Sequence, residues 1–116
     1  MIIKTISDVA ASPVQMEGAK NVSVRVVFGP ADKAPTFAMR VFELDAGGHT
    51  PFHSHAFEHE VMILSGEIAV VTETGPIPLK TGQCILVQPN EKHQFKNLSA
   101  SNKASFMCLV PIAYQK

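Results

Sequence analysis

The 116-residue chain has two cysteines, one tyrosine and no tryptophan, and its formal net charge at pH 7 is zero. Each scarcity excludes a class of protein. Cys84 and Cys108 build neither a disulfide framework nor a CxxC site, so they read as reduced thiols of a cytoplasmic protein. No run of Lys and Arg stands out, which argues against a nucleic-acid or anionic-membrane partner. No apolar stretch approaches the roughly 20 residues that cross a bilayer. Met1–Asp8 also lacks the apolar run of a secretory leader, and none is expected. Charged residues are 17% of the chain against 46% hydrophobic, a balance that favours one folded domain with one core over disorder.

Helical periodicity is scarce as well, and what replaces it is a series of short β-branched runs between Gly and Pro punctuation. Residues 1–21 read as an N-terminal arm or short strand followed by a loop, a segment able to pack on a partner subunit. From Val22 to the C-terminus the chain reads as one barrel domain. Val22–Phe28 and Thr36–Leu44 are predicted strands. Asp45-Ala46-Gly47-Gly48 is a predicted turn. Glu60–Leu64 and Ile68–Thr72, separated by Ser65-Gly66-Glu67, give a β-hairpin signal. Gly75-Pro76 and Lys80-Thr81-Gly82 mark turns, and Cys84–Gln88 a strand. In His93–Asn97 the alternation puts His93, Phe95 and Asn97 on one face and Gln94 and Lys96 on the other. The last strand, Ser105–Pro111, is apolar on both faces and is expected to be buried on both. Short strands with Gly/Pro turns mean an all-β sandwich or barrel.

Against this background the histidines stand out. Four of the five fall between His49 and His59, and the fifth is His93. In a strand, positions i and i+2 face the same side, so His53 and His55 present two imidazoles together. His59 follows after room for a tight turn, and His93 opens its own predicted strand. A lone HxH is more often two surface histidines than a site. Three histidines as HxHxxxH between turns, with a fourth in a patterned segment, point instead to a metal centre. Neutral imidazole suits a divalent transition metal: Mn, Fe, Ni, Cu or Zn. His49 lies in the predicted glycine turn and is read as a loop residue.

These segments resemble the cupin superfamily. Its first motif is a glycine, five residues, HxH, three or four residues, a glutamate, six residues and a glycine. Here Gly47, His53-Ser54-His55, His59 and Gly66 take those places. The second motif runs from a glycine through a proline to a histidine and an asparagine, matched by Gly82, Pro89, His93 and Asn97. The glycine usual after the proline is missing from Asn90-Glu91-Lys92, and that corner is one residue shorter. The resemblance implies an antiparallel jelly-roll barrel (a double-stranded β-helix) and a metal held by His53, His55, His59 and His93. The family's glutamate position holds His59. Glu60, one residue on, should point to the opposite face; it stays open as a supporting residue or alternative ligand. Glu58 and Glu60 otherwise read as solvated charges.

Four protein ligands on a six-coordinate ion leave two positions, which suits substrate binding or dioxygen activation as in cupin dioxygenases. The resemblance therefore implies a metal-dependent oxidoreductase acting on a small organic molecule. The competing expectations are a non-catalytic binding module, as in a sensor or storage protein, and a metal-dependent isomerase. The last is disfavoured because no Lys, Tyr or Asp supplies an evident acid or base, Tyr114 being read as a tail residue. Phe95, Phe106 and Cys108 are candidate pocket walls, with core packing the plainer reading of Phe106 and Cys108. An inward Arg40 would need an anion such as a substrate carboxylate, but Arg40 is expected to face outward. Small cupins pair through sheet faces, so a homodimer is expected. Light scattering at micromolar concentration checks this, and a monomer there would contradict it.

Overall fold

The computed structural model describes residues 1–115. Nine antiparallel strands form one strongly curled sheet: β1 (Ser12–Pro13), β2 (Lys20–Phe28), β3 (Phe37–His49), β4 (His59–Ser65), β5 (Ile68–Thr72), β6 (Gly75–Leu79), β7 (Cys84–Val87), β8 (Gln94–Asn97) and β9 (Ala104–Pro111). The strand order is β6-β5-β8-β3-β9-β4-β7, with β2 on β3 and β1 on β2. This is the expected all-β jelly-roll barrel. Three single turns of 3-10 helix, Ile6–Asp8, Pro30–Asp32 and Ile112–Tyr114, are its only helical pieces among the described residues. Among the described residues no helix is long and apolar enough to cross a membrane.

The sheet closes because strands change partners at glycine corners. β3 pairs with β9 from Phe37 to Leu44 and then with β8 at His49. The predicted turn at Asp45–Gly48 is therefore a bend inside one 13-residue strand, not a chain reversal. Gly47 takes φ +70° there. At Gly48 a side chain would meet the Asn21 carbonyl at 2.6 Å. His49 is thus the last residue of β3 rather than a loop residue.

The hairpin expected at Ser65-Gly66-Glu67 is also corrected. β4 pairs with β7 and β9, whereas β5 pairs with β6 and β8, so this turn carries the chain from one half of the sheet to the other. The true hairpin joins β5 to β6 around Glu73 and Thr74, with Thr72 opposite Gly75. β6 escapes a pattern-based reading because Pro76 and Pro78 interrupt it. Both are tolerated because β6 is an edge strand.

Inside, Leu44, Ile63, Ile68, Phe106 and Val110 are fully buried. Burying one such side chain contributes about 1.5–3 kcal/mol. Alternation along β9 buries Ala104, Phe106, Cys108 and Val110 but leaves Ser105, Met107, Leu109 and Pro111 partly exposed. The last strand is therefore fully buried on one face only. The N-terminal segment is tied to β2 and the turn after it by two cations. Lys4 bonds the Val27 carbonyl and Asp32, and Arg25 bonds the Val9 carbonyl and Glu43.

Asn97 closes the end of β8. It is 2% exposed, its amide donates to the Leu44, Asp45 and Asn102 carbonyls, and its Oδ1 accepts from the Ser99 amide. This side chain satisfies the backbone groups that the β3 bend leaves unpaired.

Gly66 is the most demanding glycine. It holds φ +84°, and an added Cβ would meet Ala104 at 2.6 Å (Cβ) and 2.7 Å (Cα). Gly66→Ala is expected to cost more than about 2 kcal/mol, through a strained φ and a backbone clash together. A urea melt measures it; a loss below about 0.5 kcal/mol would contradict this account of the corner.

Candidate metal centre

The site begins as a main-chain zipper. The segment from Thr50 to His55 runs antiparallel to the segment from Asn90 to Phe95. The Thr50 amide donates to the Phe95 carbonyl at 2.9 Å, and the Asn90 amide to the His55 carbonyl at 2.7 Å. Between them His53 and His93 exchange both backbone bonds, at 3.1 and 2.9 Å. His53 and His55 are thus not on a regular strand, as the HxH spacing predicts. They sit on an irregular segment that β8 and its approach hold in place. His59 arrives from a third direction as the first residue of β4.

Four imidazoles meet at this point. Ring centroids are 5.1 Å apart for His53 and His55, 5.3 Å for His53 and His93, and 5.0 Å for His55 and His93. His59 lies 4.4 Å from His55 and 5.4 Å from His93. The donor nitrogens of His53, His55 and His93 all fall within 4.8 Å of one another. His59 belongs to the ring cluster but not to that tight triad.

The tautomers follow from the partners. Nδ1 of His55 faces the Phe57 carbonyl and Nδ1 of His93 faces the Glu91 carbonyl, each at 2.8 Å. A carbonyl only accepts, so each Nδ1 carries the hydrogen and each Nε2 keeps a lone pair in the neutral ring. Nε2 of His55 is buried with no hydrogen-bond partner. An unsatisfied buried acceptor costs about 1–3 kcal/mol, which a cation would relieve. Nδ1 of His59 lies 3.3 Å from Cys108 Sγ. With the thiol hydrogen toward the Leu109 carbonyl at 3.8 Å, His59 can donate Nδ1–H to sulfur and leave Nε2 free. The residues present therefore fit a divalent transition metal: neutral nitrogen donors, oriented by backbone carbonyls, around an orphaned Nε2.

Electrostatics favour the same state. Burial depresses the pKa of His53, helped by His93 and His55. Burial also dominates at His55, against the Phe57 carbonyl, which favours the charged ring. His59 is pushed down to about 2, by burial first and then by Arg40 and the other histidines. Metal binding requires neutral imidazoles, and these are held neutral in advance.

Above the histidines is a cavity of about 340 Å3. Arg40, Phe95, Phe106 and Cys108 all line it, as do Phe42, Phe57 and Tyr114. Arg40 thus faces inward, not outward as expected. The alternation that buries Ala38 and Leu44 in β3 puts Arg40 and Phe42 on the same inner side. Its Nη2 donates to Cys108 Sγ at 3.1 Å and its guanidinium lies 4.9 Å from the Phe42 ring centre. Glu60 is exposed on the outer face of β4 and does not line this cavity; it lines a surface groove with Glu58. His49 also stays out of the triad, its Nδ1 facing Gln94 Nε2 at 3.3 Å.

A cupin domain model matches residues 40–110, more than half the chain, and spans both histidine segments. The chain belongs to the cupin family. No curated protein matches it. Among solved structures, this cupin is similar to the polyketide cyclase RemF from Streptomyces resistomycificus. The two are 29% identical over 97% of this chain and 80% of that one, with TM-score 0.90. A cupin 2 domain-containing protein from Halorhodospira halophila is 31% identical over 85% of this chain and 68% of that one, with TM-score 0.72. A predicted oxalate decarboxylase from Thermotoga maritima is 18% identical over 96% and 99%, with TM-score 0.83, and speaks for the fold alone.

Three aromatic residues of the cavity lie outside the wall expected from the sequence. Phe42 could have been found two positions from Arg40 on the same strand face. Phe57 lies within the histidine stretch, where its spacing carries no signal. Tyr114 reads as tail, yet the final 3-10 turn stacks it on Phe57 with ring centres 4.0 Å apart.

The depressed histidines set a pH dependence for the metal-free protein. Unfolded, His59 titrates near 6.5; folded, it stays neutral to about 2. Below pH 6.5 the unfolded chain binds more protons, so stability falls with acidification, and above it the term vanishes. His59 alone contributes a slope of up to about 1.4 kcal/mol per pH unit. Denaturant melts of the metal-free protein from about pH 7.5 to about pH 5 should show this slope, and His59→Gln should reduce it. Stability that stays flat on acidification would contradict the burial of neutral histidines.

Proposed function

We propose that this cupin binds a divalent transition metal through His53, His55, His93 and His59, and acts on a small, carbonyl-bearing organic molecule. The observation that carries the reading is the triad of donor nitrogens within 4.8 Å of one another, beneath an aromatic cavity. A bound divalent cation supplies Lewis-acid polarisation of a substrate oxygen. The chain supplies the rest. The backbone carbonyls of Phe57 and Glu91 fix the ring tautomers of His55 and His93. Phe42, Phe57, Phe95 and Phe106 hold a flat substrate and exclude water. Tyr114 is a phenol at the cavity wall and a candidate for proton transfer, which removes the objection to acid–base chemistry raised by the sequence.

The likeness to a polyketide cyclase across 97% of the chain favours non-oxidative ring closure of a carbonyl-rich chain. The second reading is dioxygenase-like oxidation of a small molecule. It draws on the all-imidazole donor set and a cavity with no carboxylate lining. A homodimer in the cytoplasm remains the proposed setting, and the partly exposed Met107 and Leu109 give β9 an outer apolar face to pair through.

Metal analysis of protein purified without added metal should find about one ion per chain, and His53→Ala should lose it. Retention of full metal content by His53→Ala would remove the core claim. Incubation of the loaded protein with poly-β-carbonyl compounds under strict anaerobiosis then separates the two reactions. Ring-closed product without oxygen supports cyclisation, whereas turnover that stops without oxygen and consumes it when present supports oxidation. No turnover under either condition, with metal bound, would favour a binding module.

A further inference from the structure

Arg40 is a cation in an apolar cavity without an anion. It lies in the first half of β3, directly across from Cys108 on β9. Its Nη2 reaches Cys108 Sγ, its plane lies near the Phe42 ring, and its Nε is buried with no hydrogen-bond partner. Among the described residues the ion pairs are Lys4–Asp32, Arg25–Glu43 and Lys103–Asp45, none of which involves Arg40. No Asp or Glu lines the cavity. A thiol is a weak acceptor and a ring face a partial one, so neither offsets the desolvation of a guanidinium. The same cation disfavours charge on His55 and His59, so its field reaches the histidine cluster. A metal on neutral imidazoles would add positive charge and bring no anion of its own.

The walls set a second constraint. The His55 ring stacks on Phe57 at 4.0 Å and 8°, and Phe57 stacks on Tyr114 at 4.0 Å and 17°. Phe42 stacks on Phe106 at 5.0 Å and 16°. Two stacks of rings suit a planar, conjugated body.

We propose that Arg40 anchors the anionic head of the substrate, and that the substrate class is a planar, conjugated organic carboxylate. The guanidinium fork matches a carboxylate with two parallel hydrogen bonds. A phosphate's second charge would find no further cationic side chain in the cavity. This deepens the functional reading above and rests on the cavity being the substrate site, but Arg40 and its orphaned nitrogen stand whether or not an ion is bound.

The test is calorimetric binding of 2-naphthoate and of its methyl ester to the full-length protein, stripped of metal so that only the protein can discriminate. Wild type should bind the acid at least about tenfold more tightly than the ester. Arg40→Gln should abolish that difference while keeping ester affinity and metal stoichiometry, and Arg40→Lys should restore it in part. Equal affinity of wild type for acid and ester, or unchanged acid binding by Arg40→Gln, overturns the proposal. If Arg40→Gln fails to fold, the acid–ester comparison on wild type decides alone. A parallel metal titration keeps the two readings apart. An acid preference in a protein that binds no metal leaves the anchor standing and removes the metal-dependent function. Normal metal binding with no acid preference does the reverse.

Discussion

The pair of backbone hydrogen bonds between His53 and His93 is the contact on which the candidate site depends. Four strands, β4 to β7, and the turns between them separate these residues in the chain, and nothing local brings them together. Once the main chains pair, Thr50 with Phe95 and His55 with Asn90 extend the same zipper. The main-chain positions of the ligands are then fixed by backbone pairing, and side-chain contacts such as the His55–Phe57 stack orient the rings. This arrangement suits a metal site, because backbone pairs hold ligand positions more tightly than flexible side chains do. It also explains why an irregular segment can carry ligands: the order comes from its partner, not from its own strand character.

The zipper can form only because the sheet turns twice. β3 bends at Gly47 and Gly48 to leave β9 and meet β8, and the chain crosses at Gly66 from one half of the sheet to the other. Neither corner is a hairpin. Each is a place where a side chain would collide with backbone, so glycine is a steric requirement there. Asn97 then serves the carbonyls that the first bend leaves open. Corner, asparagine and zipper are one construction, which accounts for motif residues that touch no ligand.

The cavity adds an electrostatic character of its own. Burial favours the neutral form of His53, His55 and His59, the walls are aromatic, and Arg40, the one Lys or Arg lining the cavity among the described residues, meets a thiol and a ring in place of a carboxylate. Burial of neutral imidazoles destabilises the empty protein in acid, and the orphaned nitrogens of His55 and Arg40 are unmet demands inside the fold. Such costs are borne where a site binds something that supplies the missing partner. One orphan asks for a cation and the other for an anion, and both residues line the same cavity.

The sequence by itself determined the all-β class, the two histidine segments, the inward set His93, Phe95 and Asn97, and the outward position of Glu60. Those follow from strand alternation and motif spacing, which are local. Only the tertiary structure decided which strands pair, and so it turned a predicted hairpin into a sheet crossing and a predicted turn into a bend. It also decided that Arg40 faces inward and that Tyr114, at the far end of the chain, closes the cavity. Alternation says which residues of a strand share a face, but not which face meets the core. That choice is made by the register between distant strands, where burying Ala38, Leu44 and Phe106 together outweighs the cost of drawing one guanidinium in with them.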